Sequence, residues 1–245
     1  MKAVYLAQPW GGLGDNLQFS SLPRLYHEKG IDFYLSDQNA YRNTEIYEFC
    51  WGKNPYVKGI STHLATIGSC SPPADAGKAD NIVAASELRH GFPGDSKYPE
   101  IYYKPNYIKT FSDKIIVDLS AHSVIVSGIQ TLYNVEKLYK LIDENISEKN
   151  NILFVDFKNI HTNFLSHQFN FHSKTLIIDS IFQYADYIHS CKEYYCMYSG
   201  GNSMASGIKH RYNSNVKINC FLYRTLQEHK DMGFFVFNNV NYIEC

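Results

Sequence analysis

Two glycine-bearing loops hold the residues whose types and spacing could do chemistry. The first is Gly11-Gly12-Leu13-Gly14-Asp15-Asn16. Glycines there would let a ligand approach the backbone, and the N–H groups opening a following helix favour anions. The third glycine of G-x-G-x-x-G is missing, so the loop alone is a weak dinucleotide signal. Asp15 fits two roles. It could belong to a ligand-binding loop, although a carboxylate would repel phosphate, or it could cap the helix, a contribution of about 1 kcal/mol. Spacing leaves both open. The second loop is Ser199-Gly200-Gly201-Asn202-Ser203. Small residues and hydroxyls at a helix start could bind a diphosphate through backbone N–H groups. The structural alternative is a tight turn with Asn202 or Ser203 as the cap.

Further candidates are single residues. The segment Ser120-Ala121-His122-Ser123 follows an apolar run and adds Ser120 and His122 as phosphate contacts, although a lone His is more often a local hydrogen-bonding group. Lys209 and Arg224 are weaker candidates, since solvation explains most basic residues. His90, beside Gly91-Phe92-Pro93-Gly94, is the reserve base should Asp15 fail. No metal ligand set is apparent: there is no D-x-D, no C-x-x-C, and no Cys/His cluster with zinc spacing. Cys50, Cys70, Cys191, Cys196, Cys220 and Cys245 read as buried, reduced thiols.

Elements that would position these residues can be read from periodicity. Ala3–Ala7 reads as a strand, followed by a helix over about 16–29 with Leu17, Phe19, Leu22, Leu25 and Tyr26 inward. Pro23 predicts a bend or an early-turn position in that helix. A second strand at 31–35 and a short helix at 44–51 follow. The signal weakens from 61 to 113, where Ser71-Pro72-Pro73 reads as loop. Beyond it, strands are expected at 114–119, 151–155, 194–198 and 216–222. Helices are expected after Asn134, after Asp179 or Ser180, and over 203–209. Continuous apolar strands alternating with helices mark parallel sheets covered by helices. The expected fold is α/β with two Rossmann-like domains, 1–112 and 113–245, whose parallel sheets face a central cleft, a preferred place for a small-molecule site.

The 245 residues are 44% hydrophobic and 19% charged, an ordinary globular balance that excludes a disordered chain. The formal net charge of −1 leaves no broad electrostatic footprint for nucleic acid. No apolar run approaches the roughly 20 residues that span a bilayer. The opening residues lack the pattern of a secretion signal, so a soluble, cytoplasmic protein is expected.

Gly12-Leu13-Gly14-Asp15, with Leu17, Pro23 and Leu25 after it, resembles the amino-terminal motif of the heptosyltransferase-like glycosyltransferases. Asn54-Pro55-Tyr56-Val57 resembles the element after their second helix. Asp179 through Ala205 resembles their helix, strand and S-G-x-x-H-x-A turn, with Ser199, Gly200 and Ala205 matching. Ser203 stands where those enzymes usually carry His, and Tyr198 replaces an acidic residue. The resemblance covers about 1–60 and 112–222. It implies the two-Rossmann GT-B architecture, with a nucleotide-sugar donor on the carboxy-terminal domain and an acceptor on the amino-terminal one. Asp15 matches the family's proposed base, which makes the transfer inverting. On this reading Ser199, Gly200, Gly201, Asn202, Ser203, Ser120 and His122 bind donor, while Gly11, Gly12, Gly14, Asn16 and His90 line the acceptor side. No cofactor is implied beyond the nucleotide-sugar co-substrate. The acceptor is expected to be a glycan, a lipid-linked molecule or a protein, with net charge weighing against a modified DNA base. Two other classes stay open: a non-catalytic nucleotide- or sugar-binding protein, and a nucleotide-sugar epimerase on the same scaffold.

Overall fold

The computed structural model describes residues 2–68, 79–120, 133–146, 148–158, 174–231 and 235–245. They group into two compact units, Met1–Lys104 with His229–Asn238, and Pro105–Glu228 with Asn239–Cys245. Each unit holds one parallel sheet. No helix among the described residues is long and apolar enough to cross a membrane.

In the first unit the order of elements is β1 (Ala3–Ala7), α1 (Leu13–Leu17), α2 (Leu22–Glu28), β2 (Asp32–Ser36), α3 (Thr44–Tyr47), β3 (Val57–Ser61), β4 (Ile67–Gly68) and α4 (Ile82–Arg89). The expected single helix over 16–29 is two helices. Ser21 precedes α2, and Pro23 sits in its first turn, where a missing N–H costs nothing. Helix α3 runs on into a wider turn, Glu48–Gly52, that buries Phe49, Cys50 and Trp51. The sheet order is β3-β2-β1-β4. The chain winds outward from β1 through β2 to β3 and then crosses to β4 on the other side of β1. The carboxyl end of β1 therefore lies at a topological switch point, where open parallel sheets form their binding crevices.

In the second unit the order is β5 (Ile115–Asp118), α5 (Val135–Asn145), β6 (Ile152–Phe157), β7 (Lys174–Ile178), α6 (Ile181–Ser190), β8 (Glu193–Met197), α7 (Gly200–Tyr212), β9 (Lys217–Leu222) and β10 (Asn241–Glu244). The Asn134 side chain accepts the Lys137 N–H at 3.0 Å and starts α5. Leu138, Ile142 and Ile146 pack on Ile115, Val117, Ile152 and Phe154. Of the two expected caps for α6, Ser180 serves, accepting the Gln183 N–H at 3.1 Å. The sheet order is β10-β9-β8-β5-β6-β7. The winding reverses between β5 and β8, so the loops after these two strands flank the switch point of this sheet.

Four cysteines, Cys50, Cys191, Cys196 and Cys220, are buried free thiols, and Cys245 is half-buried. Cys70 and Ser71-Pro72-Pro73 lie outside the described residues, as does His122.

Candidate functional site

The loop after β1 is held from behind by a buried amide network. The Gln8 N–H donates to Asn39 Oδ1 at 2.9 Å, and Gln8 Nε2 donates to the Ala40 carbonyl at 3.1 Å. Asn16 is fully buried. Its Nδ2 donates to the Gly12 carbonyl at 2.9 Å, and its Oδ1 accepts Trp51 Nε1–H at 2.9 Å. Those contacts turn the Asn16 side chain inward, where it is the peg that fixes the loop expected on the acceptor side. The two glycines before Leu13 are crowded by the protein's own chain. A Cβ on Gly11 would sit 2.5 Å from the Arg42 backbone nitrogen, and one on Gly12 would sit 2.6 Å from Asp15 Oδ2. Both glycines make room for the protein's own chain, with the Arg42 N–H donating to the Gly11 carbonyl at 2.8 Å. Gly14 is buried within α1.

Asp15 is half-buried and is the third residue of α1, with Gly12 as the cap residue. Its Oδ2 accepts the Gly12 N–H at 3.0 Å, reaching back as an acidic residue in a capping box does. The carboxylate therefore supports the helix start from the third position rather than from the cap position. Arg42 Nη2 lies 3.4 Å from the Cβ position of Gly12, bringing a guanidinium to the same corner of the loop. Trp10, just before the glycines, is 42% exposed, with its N–H held by Gln8 Oε1 at 2.8 Å. Motif reading passed over Arg42 and Trp10 because neither belongs to a recognisable spacing.

His90 follows α4 and has a local role. Its Nδ1 lies 2.6 Å from the Ser86 carbonyl oxygen, which can only accept, so Nδ1 carries the proton. The ring meets Phe19 edge-on at 6.3 Å. Burial lowers the pKa of the imidazole and keeps it neutral.

The loop after β8 is a helix start rather than a tight turn. Helix α7 begins at Gly200, and Ser199 is its cap, in place of Asn202 or Ser203. Ser199 Oγ accepts the Gly201 N–H at 3.2 Å, and its carbonyl accepts the Asn202 N–H at 3.1 Å. Ser199 and Gly200 are half-buried, whereas Gly201, Asn202 and Ser203 turn into the core. The Ser203 hydroxyl is fully buried and has no hydrogen-bond partner among the described residues. Lys209 sits in the last turn of α7, roughly 13 Å along the helix from Gly200 at 1.5 Å per residue. There its charge complements the carboxyl end of the helix dipole, and it is removed from the loop. Arg224 follows β9 and stacks on the Tyr223 ring at 5.8 Å.

Ser120 stands across the switch point, after β5. Its N–H donates to Asp118 Oδ1 at 2.8 Å, and its hydroxyl donates to the same oxygen. The second carboxylate oxygen accepts from the Tyr184 hydroxyl, which lies 2.5 Å from the Tyr194 hydroxyl. Burial raises the Asp118 pKa above the ordinary carboxylate range, against the pull of these hydrogen bonds. The folded protein thus holds this proton to higher pH than the unfolded chain does. The stability the group contributes is fullest below the ordinary carboxylate range and is lost as pH rises through the folded value. Asp118→Asn should flatten that limb of the stability–pH curve, measured by urea unfolding from about pH 3 to 7. A slope equal to wild type would refute the assignment.

No protein-family model and no curated protein matches the sequence significantly. Solved structures do match. The dodecameric iron-containing heptosyltransferase TibC in complex with ADP-D-beta-D-heptose superposes with a TM-score of 0.61 at 9% identity, over 99% of this chain and 63% of that one. A second TibC structure, from enterotoxigenic E. coli, is covered over 58% of its length, so this chain spans about three-fifths of TibC. The family 9 glycosyl transferase of Veillonella parvula gives a TM-score of 0.57 at 6% identity, over 100% of this chain and 85% of that one. E. coli heptosyltransferase WaaC with ADP gives 0.56 at 10% identity, over 100% and 93%. At these identities the likeness is one of fold, and the fold of this chain is that of the heptosyltransferase-like glycosyltransferases.

Proposed function

We propose that the protein is a glycosyltransferase that moves a sugar from a nucleotide-sugar donor to an acceptor hydroxyl, without a metal ion and with inversion. The observation that carries the reading is the start of α7. A 13-residue helix opens at the switch point of a parallel sheet, with Ser199 and Gly200 half-buried at its end. Helix starts of that kind favour phosphate oxygens. On this reading Ser199, Gly200 and Ser120 contact the donor diphosphate, and the buried Gly201, Asn202 and Ser203 shape the turn that presents them. The helix end and backbone N–H groups stabilise the charge on the leaving diphosphate, the part a cation plays elsewhere.

Asp15 is the base of the proposed transfer and sits at the switch point of the other sheet. Its carboxylate takes the proton of the acceptor hydroxyl as that oxygen attacks the anomeric carbon, and the nucleoside diphosphate leaves from the opposite side. The acceptor is a glycan, a lipid-linked molecule or a protein. The solved relatives add support, since one contains ADP-heptose and another ADP.

A thermal-shift panel of ADP-, GDP-, UDP- and CMP-linked sugars tests donor binding. A ligand at a hundred times its dissociation constant stabilises by about 2.7 kcal/mol, which for a chain of this size is about 5–10 °C. One class of nucleotide should give that shift, in EDTA as well as without it. No shift with any of the four, or a shift that EDTA abolishes and Mn²⁺ restores, would overturn the donor site or its metal independence respectively.

A further inference from the structure

The inner side of the α7 loop is lined by a polar cluster in a place where an α/β core is ordinarily aliphatic. Asp118, Tyr184 and Tyr194 are 2%, 3% and 0% exposed. The Tyr184 hydroxyl donates to Asp118 Oδ2, so the Tyr194 hydroxyl, 2.5 Å away, donates to Tyr184. Burial raises both phenol pKa values well above the ordinary range, which keeps both protons in place. The chain of contacts ends at Gly201. A Cβ there would meet Tyr194 Oη at 2.5 Å, Tyr184 Oη at 3.3 Å and Ser199 Oγ at 3.4 Å. Only glycine fits, with a C–H bond facing the Tyr194 oxygen. At its other end the cluster grips Ser120 through Asp118 Oδ1.

One buried carboxylate therefore ties together the two loops that flank the switch point between β5 and β8. Burying a carboxyl and two phenols is costly unless every partner is in place, and a fully satisfied network has one geometry. A shift in that geometry moves the first turn of α7 directly, because Tyr194 Oη abuts the second residue of the helix.

We propose that Asp118, acting through Tyr184 and Tyr194, is the positioning residue of the diphosphate loop, setting the height of the first turn of α7 relative to Ser120. The proposal rests on the reading of that loop as the donor site. It assigns no chemical step to Asp118, which touches no substrate.

The test is a size-swap cycle read by calorimetric titration and by melting temperature. The probe is whichever of ADP, GDP and UDP shifts wild-type melting most. Gly201→Ala should weaken binding about tenfold, because the new methyl and Tyr194 Oη cannot both stay. Tyr194→Phe removes that oxygen and should weaken binding by roughly threefold to tenfold while the protein remains folded. Gly201→Ala in the Tyr194→Phe background should then cost almost nothing further. If Gly201→Ala alone fails to fold, rescue of folding and binding by Tyr194→Phe in the double variant shows the coupling, and a double variant that also fails to fold overturns the proposal. Equal penalties for Gly201→Ala in both backgrounds would overturn the proposal. So would wild-type affinity in a Tyr194→Phe protein, or a lowered melting temperature with wild-type affinity in a folded Gly201→Ala protein, since that pattern belongs to a purely structural cluster. A wild type that binds none of the three nucleotides overturns the donor reading and this proposal together, whereas nucleotide binding without coupling overturns this proposal alone.

Discussion

Asp15→Asn is expected to stay folded, to bind donor normally, and to lose about 10²–10⁴-fold in turnover. The structure makes this substitution a clean one. The carboxylate supports α1 by accepting the Gly12 N–H at 3.0 Å, and the amide oxygen of Asn accepts the same bond. The loop is pinned independently, by Asn16 on the Gly12 carbonyl and by Arg42 on the Gly11 carbonyl. What Asn cannot do is take a proton. A role limited to holding the helix start predicts melting temperature and turnover both within a small margin of wild type. Turnover on saturating donor and acceptor, set beside the melting temperature of the same preparation, separates the two. Near-wild-type transfer would remove Asp15 as the base and would favour a retaining route.

Asn16→Ala is expected to destabilise the protein by about 3 kcal/mol, or roughly 10 °C in melting temperature. The amide holds Trp51 Nε1 and the Gly12 carbonyl together in a fully buried setting. Truncation orphans Trp51 Nε1, leaves the Gly12 carbonyl with only the backbone N–H of residue 16 at 3.1 Å, and opens a void where water is excluded. Asn16→Asp should be at least as harmful, because it keeps the acceptor for Trp51 but loses the donor to Gly12 and buries a charge. Were Asn16 an acceptor contact instead, Asn16→Ala would leave melting unchanged and raise only the KM for the acceptor. Differential unfolding in urea decides this.

The sequence shows most plainly the elements whose burial is continuous. Runs such as Ile115-Ile116-Val117 and Ile218–Leu222 are buried along their length and can be read as central strands at sight. The strands passed over are β3, β7 and β10, each an edge strand, together with β4, which is only two residues long. β7 exposes Lys174, Thr175 and Ile177, and β10 exposes both its ends, so the apolar signal is diluted by solvent-facing positions. Helix α4 escaped notice because Ala84, Ala85 and Ser86 are small and its burial extends almost all round, leaving no stripe.

The strand-to-helix position of the two candidate loops was legible, and the contacts of their side chains were not. Both glycine loops stand at switch points, as strand-to-helix loops in such sheets should. What the glycines make room for was not legible, because pattern alone cannot distinguish a glycine that admits a ligand from one that admits the protein's own chain. Gly11 faces Arg42, Gly12 faces Asp15, and Gly201 faces Tyr194. Gly200 and Gly201 also read as a turn, yet they are the first two residues of α7. The first N–H groups of a helix have no intrahelical partner, so flexible residues are tolerated there at little cost. Asp118, Tyr184 and Tyr194 are 66 and 10 residues apart along the chain, and nothing short of the fold brings them together.

The most direct test of the account is to incubate the protein with the nucleotide sugar that stabilises it and to follow nucleotide and sugar by NMR, in the presence and absence of a simple glycan acceptor. The account predicts release of free nucleotide, appearance of a glycoside with the anomeric configuration opposite to that of the donor, and loss of both in Asp15→Asn. An intact nucleotide sugar after prolonged incubation with acceptor, or its conversion to an epimer with no nucleotide released, would contradict it.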